Sequence, residues 1–224
     1  ETGVVVVIHD ETVDRTCEGS GRVRDLTWDE IRTLDAGYHF VDPGGNPSFR
    51  GRGVRVPRIE EVLEAFPDTR LNVETKDSRS APMLVRAILQ RRAEDRVLVA
   101  AEWEWNRRAV RGYPGPWGAS RRHLSLFTLL HRTPLSSVYT PECDVLQVPE
   151  KHRGLRILSP RLIHEAHRRN LPVHVWTVDE VDDMKRFLEW GVDGIQTDRP
   201  DRLARVLSEQ VGRPPAPASR GEGP

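Results

Sequence analysis

Short apolar runs alternate along this chain with stretches of helical periodicity, and that alternation restricts the fold more than any other feature. Runs at residues 4–8, 71–74, 96–100, 117–119, 144–148, 172–176 and 194–197 are each of strand length. Repeated strand–helix units of this kind make an α/β domain around a parallel sheet. Helix starts are legible between the runs. Thr27 followed by Glu30 reads as a capping box, and Ser159 precedes Pro160 at a first helical position. Asp179 stands ahead of Val181, Met184 and Leu188, which share one helical face. Segment 37–56 is rich in Gly and Arg, lacks periodicity, and is expected to be an insertion over the mouth of the domain. Residues 213–224 are expected to form a disordered tail, which leaves one domain over 1–212.

Charge narrows the partners. Lys and Arg total 34, as do Asp and Glu, so no global field draws the chain to nucleic acid or to an anionic membrane. No apolar run approaches the ~20 residues of a membrane span. Cys17 and Cys143 do not make a disulfide framework, and the cytoplasm is the expected compartment. Lysine occurs only at 76, 151 and 185, which gives Lys76 added weight.

Three strand ends carry polar residues: His9-Asp10, the stretch Asn72 to Lys76, and the stretch Val173 to Thr177. In α/β barrels catalytic groups sit at the C-terminal ends of strands. Side chains alternate along a strand, so Asn72, Glu74 and Lys76 share one face while Leu71 and Val73 share the other. A carboxylate and an ammonium facing inward must be paired, metal-bound or solvated. The competing reading is a structural Glu74–Lys76 ion pair. His9 either caps its strand or transfers protons, a task suited to an imidazole at neutral pH. By alternation Asp10 turns to the other face and orients the strand end or loop backbone. Trp176 and His174 should face inward, Trp176 as an apolar wall and His174 as a core residue. Gln147 and Glu150 line the mouth or cap a loop. His164 and His167 read as surface residues, and Asp198 as the N-cap of the last helix.

Taken together, these residues resemble the glycerophosphodiester phosphodiesterase family. The resemblance rests on Val6-Val7-Ile8-His9-Asp10, Asp14-Arg15-Thr16, Gly19 to Val23, Ile31 to Asp35, Pro57 to Leu63, Val73 to Lys76, Trp176 to Asp179 and Gly191 to Pro200, in the family's order. It implies a TIM-type (βα)8 barrel. Family members carry a His-Arg-Gly and a Glu-x-Asp just before the position where this chain starts. The barrel is therefore expected to lack its first βα unit, with Val4–Ile8 at an open edge and the 224-residue chain inactive by itself.

The resemblance also implies metal-assisted hydrolysis of small glycerophosphodiesters to glycerol 3-phosphate and an alcohol. It gives His9 general acid/base work shared with an upstream His, makes Glu74 a ligand of Mg²⁺ or Ca²⁺, and makes Lys76 a phosphate-binding charge. Trp176 packs on the glycerol; Gln147, from its place at a strand end rather than from the resemblance, is expected to bind substrate as well. Arg58, Asp179 and Ala101-Glu102 depart from the family's usual Thr, Asn and Ser-Phe, which leaves substrate choice open. Two alternatives stand beside this reading. One is a lysophospholipase D with an apolar groove around Trp103, Trp105, Trp117 and Phe127. The other is a catalytically incompetent fragment or binding protein.

Overall fold

The computed structural model describes residues 3–42, 44–133 and 138–212. The expected tail at 213–224 lies outside the described residues. Two compact units divide the chain at Pro116 and Trp117.

In the first unit, α1 (Trp28–Ile31) and α2 (Ile59–Ala65) precede β1 (Leu71–Glu74), α3 (Ala81–Gln90), β2 (Val97–Ala100) and α4 (Glu104–Ala109). The capping box forms as expected: Glu30 N–H donates to Thr27 Oγ1 at 3.3 Å, and Thr27 N–H to Glu30 Oε2 at 2.6 Å. Strands β1 and β2 are parallel, with Glu74 opposite Ala100, and all four residues of β2 are buried. A crossover through α3 links them, as parallel neighbours require. A small core gathers Val13, Cys17, Ile31 and Val56. Segment 37–56 holds no helix or strand among the described residues.

The run Val4–Ile8 is not a sheet strand. Among the described residues its only bridge is antiparallel, between Val6 and Arg58, with Val7 N–H donating to Pro57 O and Ile59 N–H to Val5 O. Extension is blocked on both sides, because Pro57 has no N–H to donate and α2 begins at Ile59.

The second unit contains α5 (Arg121–Leu130), β3 (Leu146–Pro149), the short hairpin β4 (Lys151–His152) and β5 (Leu155–Arg156), then α6 (Pro160–His167), β6 (Val173–Trp176), α7 (Val181–Glu189), β7 (Gly194–Ile195) and α8 (Pro200–Val211). Strands β3, β6 and β7 form a parallel sheet in that order. Its core is apolar, from Leu146, Val148, Val173 and Val175 on the strands to Leu162, Met184 and Phe187 on the helices. The run 117–119 contributes a single parallel bridge, Gly118 to Val145, rather than a strand. Ser159 caps α6 as expected, accepting from Leu162 N–H at 3.2 Å.

Asp179 precedes α7 as expected, and one expected helix cap is corrected. Glu180 occupies the N-cap of α7, and Asp179 before it accepts from Thr197 Oγ1 and Asp198 N–H. Arg199 occupies the N-cap of α8 in place of Asp198, and its N–H donates to Thr197 Oγ1. The Asp179 carboxylate finds its partners in the β7–α8 turn, through the Thr197 hydroxyl and the Asp198 backbone N–H.

Candidate active site

Strand β1 alternates as the sequence predicts: Leu71 and Val73 are half-buried, while Asn72 and Glu74 are exposed. Lys76, two residues beyond Glu74, returns to the same side. Its ammonium donates to Glu74 Oε2 at 2.6 Å, with both side chains more than a third exposed. Thr75 N–H donates to Ala100 O, so the parallel ladder continues past Glu74. Asn106, buried on α4, donates from Nδ2 to Lys76 O at 3.1 Å. The backbone beneath the charged pair is therefore held by β2 and α4. At the start of α4, Trp103 and Trp105 stack in near-parallel planes with centroids 4.8 Å apart.

His9 lies in a bend after the extended run and is largely exposed. Its Nδ1 meets Asp10 Oδ1 at 2.6 Å, and Asp10 is held by the Arg15 guanidinium on both oxygens. Arg15 first, then His9, holds the Asp10 carboxyl well below the usual carboxylate range. An ionised carboxylate can only accept, so Nδ1 carries the hydrogen and Nε2 is left as the free ring nitrogen. Alternation had turned Asp10 to the opposite face. The bend after Ile8 removes that constraint and brings Asp10 onto the ring. The clamp through Arg15 was not foreseen, although Asp14-Arg15-Thr16 is part of the motif that carries the resemblance.

In the second unit, Gln147 and His174 are register partners on β3 and β6, and Pro149 is opposite Trp176. Trp176 ends β6 and is 42% exposed. His174 is half-buried, and burial holds its pKa below the ordinary value. Gly194 on β7 faces His174. A Cβ there would come within 2.6 Å of the imidazole, so only glycine fits. Gln196 follows two residues later, on the same side by alternation. The side-chain nitrogens of Gln147 and Gln196 are both buried and have no hydrogen-bond partner among the described residues. Sequence reasoning passed over Gln196, whose signal was its period-2 relation to Gly194. Glu150 accepts from Arg186 at 3.0 Å. His167 is not simply solvated, because its Nε2 meets Asp193 Oδ2 at 2.7 Å.

The structure joins Glu74 to Lys76 and His9 to Asp10 in the first unit, and carries Gln147 and Trp176 on neighbouring strands of the second. Phe127 belongs to no groove. It is 1% exposed in the core of the second unit. Among the described residues, no three His, Cys, Asp or Glu side chains gather as a metal site requires. Glu74, with one oxygen engaged by Lys76, is a single donor rather than a site. Among the described residues neither Cys17 nor Cys143 is in a disulfide.

Comparison with known proteins gives these positions their context. A sequence model of the Glycerophosphoryl diester phosphodiesterase family matches residues 2–202. A "Probable glycerophosphodiester phosphodiesterase 2" of Mycobacterium tuberculosis is 32% identical over 211 residues, covering 92% of this chain and 75% of the relative. A glycerophosphodiester phosphodiesterase of Caldanaerobacter subterraneus is 31% identical over 92% of this chain and 81% of its own length. Among solved structures, a glycerophosphoryl diester phosphodiesterase domain from Mycobacterium tuberculosis superimposes with TM-score 0.78 at 17% identity, over 92% of this chain and 84% of that one. An Oleispira antarctica phosphodiesterase, solved with the product sn-glycerol-3-phosphate, gives 0.70 at 16% identity, over 92% and 80%. With its motifs, its α/β fold and a family match over nearly its whole length, this chain belongs to the glycerophosphoryl diester phosphodiesterase family.

Proposed function

We propose that this protein hydrolyses glycerophosphodiesters to glycerol 3-phosphate and an alcohol, as the names of its relatives indicate for them. The observation that carries the reading onto these residues is the Glu74–Lys76 pair at the end of β1. Exposed ion pairs contribute only about 0–1 kcal/mol to stability, so a structural role explains little of their placement together. A strand end in an α/β fold is where catalytic groups collect.

In this reading Lys76 meets an anionic phosphate oxygen as a point charge. The exposed Nε2 of His9 exchanges the proton, taking it from the attacking water or giving it to the leaving alcohol oxygen as the P–O bond breaks. The indole of Trp176 and the buried amide of Gln147 bind the glycerol, one through apolar contact and the other by donating to a hydroxyl. Gln196 joins them on the same argument as Gln147.

Glu74 is proposed as one oxygen ligand of a hard divalent ion, Mg²⁺ or Ca²⁺. The described residues do not complete a site for that ion, and the roles of His9, Lys76, Gln147 and Trp176 do not depend on it. A TIM-type barrel belongs to the same reading, supported by the parallel βα order and the likeness to family structures. So does a cytoplasmic setting, which suits two cysteines outside any disulfide among the described residues.

Release of glycerol 3-phosphate from glycerophosphocholine or glycerophosphoethanolamine tests the proposal. Glu74→Gln is expected to abolish it, because a neutral amide is a poor ligand for a hard cation. Unchanged release by that variant overturns the assignment of Glu74. Binding of glycerol 3-phosphate without turnover by the unaltered protein favours a binding role instead.

A further inference from the structure

Segment 37–56 carries an apolar surface that the hydrolytic site does not use. Phe40 and Phe49 pack edge to face with centroids 4.9 Å apart, yet are 46% and 47% exposed. Val41, next to Phe40, is 55% exposed. Large apolar side chains that meet each other and still face water mark an interaction surface.

The segment is held in shape by its own polar groups. Asp35 accepts from Gly37 N–H and, with its other oxygen, from Gly51 N–H at 2.7 Å, which closes the loop at its base. Asp42 accepts from Gly44 N–H and Asn46 N–H, both at 2.9 Å. A Cβ on Gly37 would lie 2.6 Å from Phe49 O, so this glycine permits the close approach that sets Phe49 in place. The presentation of the two phenyl rings is thus built in, as in compact loops that carry function.

Charge decides among partners. The chain is neutral, but residues 37–56 contain Arg50, Arg52 and Arg55 against Asp42 alone, so the segment is formally +2 (three minus one). Arg50 lies 4.3 Å over the Tyr38 ring and donates to Tyr38 O, and Arg55 donates to Arg32 O. Arg52 is exposed in the turn after Phe49, with its N–H donating to Phe49 O. Exposed aromatics on a segment of net positive charge match an interface that is apolar within and anionic at its surface.

We propose that this loop docks on an anionic lipid bilayer, with Phe40, Val41 and Phe49 entering the boundary between headgroups and acyl chains and the arginines meeting lipid phosphates. The docking goes beyond the hydrolytic reading and does not depend on it. Together with that reading, it places the enzyme where diesters that keep an acyl chain reside.

Co-sedimentation with vesicles tests the docking without reference to turnover. The protein is expected to partition about tenfold more onto vesicles of equal parts phosphatidylcholine and phosphatidylglycerol than onto phosphatidylcholine alone, and added salt should weaken the partition. Phe40→Ser with Phe49→Ser should lower it about tenfold, and so should Arg52→Glu, an exposed turn substitution that spares the fold. Failure of the unaltered protein to bind the mixed vesicles overturns the proposal. So does binding that neither variant weakens. A self-association abolished by the double variant, with no vesicle binding, makes the patch an interface between copies and overturns it too.

Discussion

Asp10 accepts a hydrogen bond from His9 Nδ1 across 2.6 Å and is gripped by Arg15, so one exposed imidazole is given a fixed tautomer by its sequence neighbour. Replacing the carboxylate with an amide removes the obligatory acceptor and lets the ring turn or change tautomer. Asp10→Asn is expected to lower kcat for glycerophosphocholine about 100-fold with little change in KM, close to the effect of His9→Ala. Nitrogen chemical shifts of the His9 ring give a readout that a merely structural role would leave unmoved. They should report Nδ1–H in the native protein and a mixed population in the variant.

Lys76→Met separates a structural ion pair from a working charge. Because the pair is more than a third exposed, the melting temperature should change by only a degree or two. Affinity for substrate should fall strongly, seen as a raised KM. A large loss of stability with unaltered kinetics would return Glu74 and Lys76 to a structural role.

Tyr113 is nearly buried, and its hydroxyl donates to Val97 O at 2.6 Å at the start of β2. Burial pushes its pKa up from an ordinary value near 10 to about 12. The folded state therefore holds this proton more tightly than the unfolded state does. The contribution is fully present below about pH 10 and is lost as pH rises towards 12. Denaturant titrations across that window should show a loss of stability that Tyr113→Phe flattens. A variant with the same slope would contradict the assignment.

Phe127→Ala should be costly even though it touches no proposed site residue. The ring is fully buried, lies against His131 at 6.2 Å between centroids, and has the Arg169 guanidinium 5.5 Å away. Truncations of this kind cost about 3–5 kcal/mol, readable as a lowered denaturation midpoint. A small shift would mean that the core around α5 collapses to fill the space.

Local periodicity alone settled the facing of β1. Leu71 and Val73 had to differ in exposure from Asn72 and Glu74, and the spacing of two put Lys76 beside Glu74. Capping chemistry likewise settled the starts of α1 and α6, since Thr27–Glu30 and Ser159–Leu162 bond within one helical turn. These relations span few residues, so the chain determines them before it folds.

Only the tertiary structure decided relations between distant residues. Val4–Ile8 is apolar enough for a sheet strand, but its partner is the stretch Pro57–Ile59, where a missing N–H and a helix start stop the ladder after one bridge. Asp198 looked like the cap of the last helix, but Arg199 takes that place and the Asp198 N–H donates to distant Asp179. Phe127 carried nothing in its local pattern to distinguish a groove from a core. The choice was made by Leu146, Leu162 and Val173, which pack into the same apolar cluster and remove the ring from water. Periodicity fixes which way a side chain turns, whereas its partners depend on which far segment competes best for the same hydrogen bonds and apolar surface.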